Sequence, residues 1–406
     1  MKRFFCTVWT AVFLSLLFVP AHAEIEAPQI TSKSAVVMDA ASGQILFEKA
    51  KDEKVYPASI TKIVTVYLAA KNCDKSEKVT GSRAAIDSVP KDSSNIALDY
   101  GEVLTVEQAC AAAMLMSAND AANALGEHVS GSIDEFVKLM NTTAQLFGAN
   151  ATHFANTNGL PDENHYTTAQ DFAKITRGMV NDSKEFLRYF GMVNYTIPKT
   201  NKKAEPRNFV AKHRMMHMDK YKYLGVAGGK TGYTTQAEHT AVTYAKKDGK
   251  EIIVVLFGAK NLGVLYNETR DLLEYAYNGF TPVTVTAEEI GSREVDGKVI
   301  SPVGKASFYL LNSYTKADLE YKFSDKNVII CDKQGNVLST LSASVTEDTG
   351  AKSGGKILLK IGIGVLIALI LFGLWSFKDR TRRKRKVRKM KRRRIMEEEQ
   401  KETVKR

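Results

Sequence analysis

The chain has 406 residues, 44% of them hydrophobic and 25% charged, an ordinary globular composition with room for two or three domains. Its formal charge of +12 is concentrated: residues 378–406 hold 16 basic and 5 acidic side chains, a net of +11, which leaves the rest of the chain near +1. A nearly neutral body gives no sign of a nucleic-acid partner and confines the basic character to a tail.

Residues 1–23 read as a secretory leader. Lys2 and Arg3 precede an apolar run from Phe4 to Val19, and Ala21-His22-Ala23 fits a small-x-small cleavage site. The alternative is an uncleaved anchor; Pro20 and the fitting site favour cleavage after Ala23. Cleavage removes Cys6. The remaining Cys73, Cys110 and Cys331 are too widely spaced for a disulfide framework or a zinc pattern. Cys110 lies in an apolar helical run and is expected to be a packed core thiol.

Two short strands, Ser34 to Asp39 and Gln44 to Glu48, flank the turn Ala40-Ala41-Ser42-Gly43 and form a hairpin. The next stretch is Pro57-Ala58-Ser59-Ile60-Thr61-Lys62. It opens a helix with Ile60, Ile63, Val64, Tyr67 and Leu68 on its apolar side, a stripe that predicts a buried helix. Residues 74–102 read as small strands and a loop. Thr105 to Gln108 is a capping box for a helix ending near Met116. Further helices are expected over Asp120 to Val129, Ile133 to Phe147 and Thr168 to Asn181. Strand patterns return at Val226 to Thr234, His239 to Ala245 and Glu251 to Gly258, and Leu265 to Tyr277 is a last amphipathic helix. Strands at both ends and helices between them predict one antiparallel sheet packed against inserted helices.

Residues 282–347 show short alternating runs separated by turn signals such as Asp296-Gly297 and Gln334-Gly335, the pattern of a small all-β domain. Residues 348–356 read as a linker. Residues 361–377 carry no charge, and Ile357 to Leu359 extend the run past Lys360, giving a predicted membrane span over 357–377. Thirteen Lys or Arg follow within residues 378–394, which predicts a cytoplasmic C-terminus and a body outside the cell membrane. The lipid bilayer is thus an expected partner, through the span and the basic tail.

Three motifs carry candidate chemistry. Ser59 and Lys62 share one helix face, where a lysine amine can take the serine proton. Ser117-Ala118-Asn119 follows the helix ending near Met116, and Lys230-Thr231-Gly232 lies on a late strand ahead of Tyr233 and Thr234. Each is weak alone; in this order and context they are specific. An exposed lysine near its usual value of about 10.4 is protonated at neutral pH. Burial and a second lysine would push Lys62 down. Ser117 can relay a proton and the Asn119 amide can hold Lys62 and a carbonyl. Lys230 and Thr231 suit a carboxylate, and Gly232 permits close backbone approach. His153, His165, His213, His217 and His239 lack metal spacing, and no metal or cofactor is assigned.

Together these motifs resemble the serine D-alanyl-D-alanine carboxypeptidases, the low-molecular-mass penicillin-binding proteins. Ser34 to Ala40, Met116 to Asn123, Thr152 to Pro161 and His165 to Ala169 agree as well. The resemblance implies a β-lactamase/transpeptidase-like α/β (α+β) catalytic domain over residues 24–281. It implies that Ser59 is an acyl-ester nucleophile, with an oxyanion hole from the backbone N–H groups of Ser59 and Tyr233. It implies peptidoglycan stem pentapeptides as substrates and β-lactams as covalent inhibitors, with a place in cell wall biogenesis. The segment 207–222, with His213, Arg214, Met215 and Met216, departs from the family's more Asn-rich stretch, so no substrate contact is carried over there. The spanning C-terminal helix departs from relatives that end in an amphipathic helix. Two alternatives stand beside this reading. One is a class A-like β-lactamase, which lacks support because Glu163 sits in Pro161-Asp162-Glu163-Asn164 rather than in a Glu-x-x-Leu-Asn pattern. The other is a non-catalytic peptidoglycan-binding scaffold.

Overall fold

The structure is a computed structural model that describes residues 25–347. The predicted leader, the membrane span at 357–377 and the basic tail lie outside the described residues. Among the described residues no helix is long and apolar enough to cross a membrane.

The chain opens with the hairpin β1 (Ser34–Asp39) and β2 (Ile45–Lys49). A 3-10 turn over Ala58–Thr61 then leads into α1 (Lys62–Asn72). β3 (Lys78–Thr80), α2 (Arg83–Asp87) and β4 (Val103–Thr105) follow, β3 and β4 forming a small ribbon. α3 (Val106–Ala111) starts at a capping box in which Thr105 and Gln108 satisfy each other's backbone N–H groups. It runs on into a π-helical turn, Ala112–Met116. α4 (Asn119–Ser130), α5 (Ile133–Leu146), α6 (Ala169–Asp182) and α7 (Lys184–Phe190) complete the helical cluster. After a second ribbon, β5 (Asn194–Ile197) with β6 (Arg207–Val210), the chain returns as β7 (Val226–Thr234), β8 (Glu238–Lys247) and β9 (Lys250–Ala259), then α8 (Leu262–Asn278).

The main sheet has the order β2-β1-β9-β8-β7, antiparallel throughout, as the sequence pattern predicts. Its two faces can be read along β9. Ile253, Val255 and Phe257 join the core beneath the helical cluster, while Ile252, Val254 and Leu256 join the core beneath α8. β1 divides the same way, Val36 and Met38 against Ala35 and Val37. A central strand covered by helices on both faces must be apolar at every position, so these segments read as runs rather than alternations. The edge strand β7 is left available to a ligand.

α1 is the buried helix that its apolar stripe predicts, and every residue from Lys62 to Ala69 is buried. The helix is the central post of the cluster, and a helix that is hydrophobic all round belongs inside. Ser59 lies in the 3-10 turn ahead of the helix rather than in its first α-turn. α7, β5 and β6 have no counterpart among the predicted elements: they are short, and their packing decides them.

The chain divides into two compact units. The first takes the described residues to Gly291 with Pro302–Phe323 and Asn327–Ser342. It contains β10 (Phe280–Thr286) and α9 (Ala287–Ile290). β13 (Lys305–Leu311) pairs with β10, and β15 (Asn327–Asp332) pairs with β14 (Leu319–Phe323). Gln44 ties the two sheet systems of this unit together: its side-chain amide donates to the Tyr309 carbonyl and accepts from the Tyr309 N–H, both at 2.6 Å. The second unit contains β11 (Arg293–Val295), which pairs with β12 (Lys298–Pro302) across Asp296-Gly297, both at positive φ. The last strand, β16 (Val337–Glu347), pairs with β15 over Val337 to Ser342.

Candidate active site

Ser59, Ser117 and Thr231 line one side of an open cleft of about 390 Å³ that runs along β7, with Gly232, Tyr233 and His239 beside them. The 3-10 turn puts Ser59 half-exposed at the cleft floor, with Lys62 fully buried one turn on. Their side chains meet: Lys62 Nζ and Ser59 Oγ are 3.2 Å apart. Ala58, immediately before Ser59, is held at φ +51, and Ser117 caps the π-helical turn at φ +62. Two non-glycine residues in the left-handed region, one beside Ser59 and one at Ser117, mark backbone that the surrounding fold must hold in place.

Lys62 Nζ also donates to the Asn158 carbonyl at 2.5 Å. Its pKa lies well below the usual lysine value, because burial penalises the ammonium and the nearby Lys230 and Lys212 repel it; Asp120 opposes them. An uncharged amine beside a serine hydroxyl can accept its proton. Lys230 is also buried, on β7, and its Nζ donates to Ser117 Oγ at 3.2 Å and to the Thr231 carbonyl at 2.7 Å. Burial and Lys212 push Lys230 down to about 7.

Asn119 corrects an expectation. Its side chain does not hold Lys62. It donates to Ser93 Oγ at 3.0 Å, and among the described residues its buried Oδ1 has no partner. The group that does hold Lys62 belongs to Asn158, in the Asn156-Thr157-Asn158-Gly159 loop. That loop is fixed by Asn123, whose Oδ1 accepts from Thr157 Oγ1 at 2.5 Å and from Asn158 Nδ2 at 3.1 Å. Tyr233 is 59% exposed at the cleft mouth, its ring 4.6 Å from that of His239. Thr234 lies at the end of β7 and accepts from the Ala237 N–H.

Comparison with known proteins agrees with this geometry. A family model described as D-alanyl-D-alanine carboxypeptidase, peptidase S11, matches residues 21–261. The carboxypeptidase DacF of Bacillus subtilis is 32% identical over 295 residues, 69% of this chain and 72% of that protein. DacC of Escherichia coli is 32% identical over 280 residues, 66% and 68% of the two chains. The crystal structure of penicillin binding protein 5 from Haemophilus influenzae superimposes with a TM-score of 0.64 at 25% identity, covering 80% of this chain and 98% of that one. The chain belongs to the peptidase S11 family. It is a serine D-alanyl-D-alanine carboxypeptidase acting in peptidoglycan metabolism, which sets aside the β-lactamase and scaffold alternatives.

The carboxypeptidase cleft also contains groups that the motifs do not announce. Lys212 and Arg214 line it from the segment 207–222, which departs from the family's more Asn-rich stretch. Lys212 Nζ donates to Ser94 Oγ at 3.1 Å. Tyr266 on α8 holds this segment by accepting from the Arg214 N–H and donating to the Lys212 carbonyl, both at 3.1 Å. His213, between them, packs against Gly229 and bonds Thr243 Oγ1 at 2.8 Å. No local motif marks these residues, because their place beside the cleft depends on a strand more than ten residues further along the chain.

His165 belongs to the site's support. Its Nδ1 accepts from the Ala155 N–H at 3.0 Å, so its Nε2 carries the proton and donates to Thr61 Oγ1 at 2.8 Å. Thr61 in turn donates to the Ala58 carbonyl at 2.8 Å, which fixes the turn that presents Ser59. Burial pushes His165 down to about 3, and His213 likewise to about 3. The unfolded chain therefore binds protons below about pH 6.5 that the folded chain refuses until about pH 3, so folding stability falls as pH drops through that window. His165→Gln should remove about one proton from that dependence. Urea midpoints at about pH 7 and pH 4.5 test it; an unchanged pH slope in the variant contradicts the neutral, donating His165.

Proposed function

We propose that this carboxypeptidase removes the terminal D-alanine from peptidoglycan stem pentapeptides through an acyl-enzyme on Ser59. Ser59 Oγ attacks the carbonyl of the penultimate D-alanine while its proton passes to the neutral Lys62 amine. The oxygen of the tetrahedral adduct is received by the backbone N–H groups of Ser59 and Tyr233, donors worth a few kcal/mol each in such sites. The proton reaches the departing D-alanine amine through Ser117, which the Lys230 ammonium orients. Lys230, Thr231 and Thr234 receive the substrate's terminal carboxylate, and Asn119, with its unpaired amide oxygen, faces the peptide. Water then enters the reverse sequence and releases the tetrapeptide.

The observation that carries this reading is the buried Lys62 amine, 3.2 Å from Ser59 Oγ, with a pKa well below the usual lysine value. β-Lactams resemble the acyl-D-Ala-D-Ala end and are expected to acylate the same serine. Labelled penicillin should mark the wild-type chain and leave Ser59→Ala unmarked; equal labelling of the two would sink the assignment. Release of D-alanine from a diacyl-Lys-D-Ala-D-Ala peptide tests the peptidase step separately.

We also propose the setting: a leader removed after Ala23, a catalytic domain at 24–281, a small β-rich domain at 282–347, and a single membrane span at 357–377. The catalytic domain then lies outside the cytoplasm and the basic tail inside. The support is the leader pattern, the uncharged run and the thirteen basic residues that follow it.

A further inference from the structure

The far end of the active-site helices holds a second cluster. Cys73 caps the C-terminus of α1, Glu77 leads into β3, and His128 sits in the last turn of α4. Sγ, a carboxylate oxygen and a ring nitrogen of these residues all lie within 4.8 Å of one another. His128 Nε2 is 3.0 Å from Glu77 Oε2. The other Glu77 oxygen accepts from the Asp74 N–H at 2.6 Å, so the carboxylate is already oriented with one oxygen towards the histidine. The site is partly open: Cys73 is half-buried, and the His128 and Glu77 side chains are 22% and 46% exposed.

An ion pair at a helix C-terminus accounts for the His128 and Glu77 contact alone. It does not account for a thiol converging on the same point. Thiol, carboxylate and imidazole are the donor set of a borderline-soft divalent cation, and three protein donors leave the fourth tetrahedral position to water. Bond lengths of about 2.0–2.3 Å put tetrahedral donors roughly 3.3–3.8 Å apart, so closure needs side-chain movements of about 1 Å.

We propose that Cys73, Glu77 and His128 bind one zinc-type divalent cation that clips the end of α1 to the end of α4. Binding releases the Cys73 proton to solvent, and neutral His128 ligates through Nε2 with its proton on Nδ1. Thiolate and carboxylate balance the two positive charges, so no net charge is buried. The helices that begin at Lys62 and Asn119 are thereby tied together about 16 Å away, along eleven residues of α1. The sequence conceals the site because Glu77 and His128 are 51 residues apart.

The test uses the full-length metal-free chain and cobalt(II). One equivalent should give a thiolate-to-cobalt charge-transfer band, displaced by zinc. Cys73→Ser should abolish the band, and His128→Ala should weaken cobalt affinity at least as much as loss of an outer-shell partner does, about 10–100-fold. A second readout needs no cysteine variant: zinc should protect Cys73 from alkylation in the wild type and not in His128→Ala. Penicillin labelling should persist in both variants. Absence of the band, its survival in Cys73→Ser, or equal alkylation with and without zinc overturns the proposal.

Discussion

Lys62→Met is expected to lower the rate of D-alanine release by about 10⁴-fold, the upper range for loss of a general base. Methionine keeps the volume and the apolar packing of the buried stem, so the fold should survive. Lys62→Arg should be as inactive, because a guanidinium stays charged and cannot take the Ser59 proton. The wild-type pH profile follows from the two lysines. On the acid side kcat/KM falls as Lys62 gains its proton. On the alkaline side it falls as Lys230, held at about 7 in the free enzyme, loses the charge that receives the substrate carboxylate. Lys230→Arg should carry the alkaline limb upward while leaving the acid limb in place. Measurement of kcat/KM across pH for the three variants decides this. An active Lys62→Met, or an alkaline limb unmoved in Lys230→Arg, would remove the lysines from these roles.

Gly159→Ala is the second large effect. Gly159 has φ +84, and a Cβ there would lie 1.9 Å from the Ala58 carbonyl oxygen. The left-handed backbone alone costs about 1–2 kcal/mol with a side chain present. The overlap falls on the residue before Ser59, so relief of the clash must move the nucleophile. A displacement of about 1 Å can cost 10²-fold in rate. Acylation by labelled penicillin should therefore slow by about 10²-fold or more, together with a lower thermal midpoint. Gly131→Ala is the control: its φ is +79 and its Cβ would meet nothing within 4 Å. It should cost stability and leave acylation intact. Gly232→Ala separates the case further, since its Cβ would lie 2.8 Å from the Ser59 nitrogen and 2.6 Å from Thr240 Oγ1. There β7 itself must retreat from the oxyanion donors, and the rate should fall with little change in midpoint. Full acylation rates in Gly159→Ala and Gly232→Ala would show that the backbone at Ser59 tolerates displacement.

Local pattern determined much of this protein. The hairpin of β1 and β2, the capping box at Thr105, helices α4 to α6 and the meander β7 to β9 all follow from periodicity and turn chemistry, which act over a few residues. Ser59, Lys62, Ser117 and Lys230, which the fold brings together in two pairs, stood out as candidates because of their residue types and order, and Cys110 was legible because an apolar run leaves a thiol nowhere but the core. Tertiary structure decided what depends on distant neighbours. It buried α1 on every face, assigned Lys62 to the Asn158 carbonyl rather than to Asn119, and brought Lys212 and Arg214 to the cleft. It also set Cys73 beside His128. The physical reason is common to all four. A lysine's pKa, an amide's partner and a metal's donor set are fixed by distances of a few ångströms between segments tens of residues apart, and no local pattern encodes those distances.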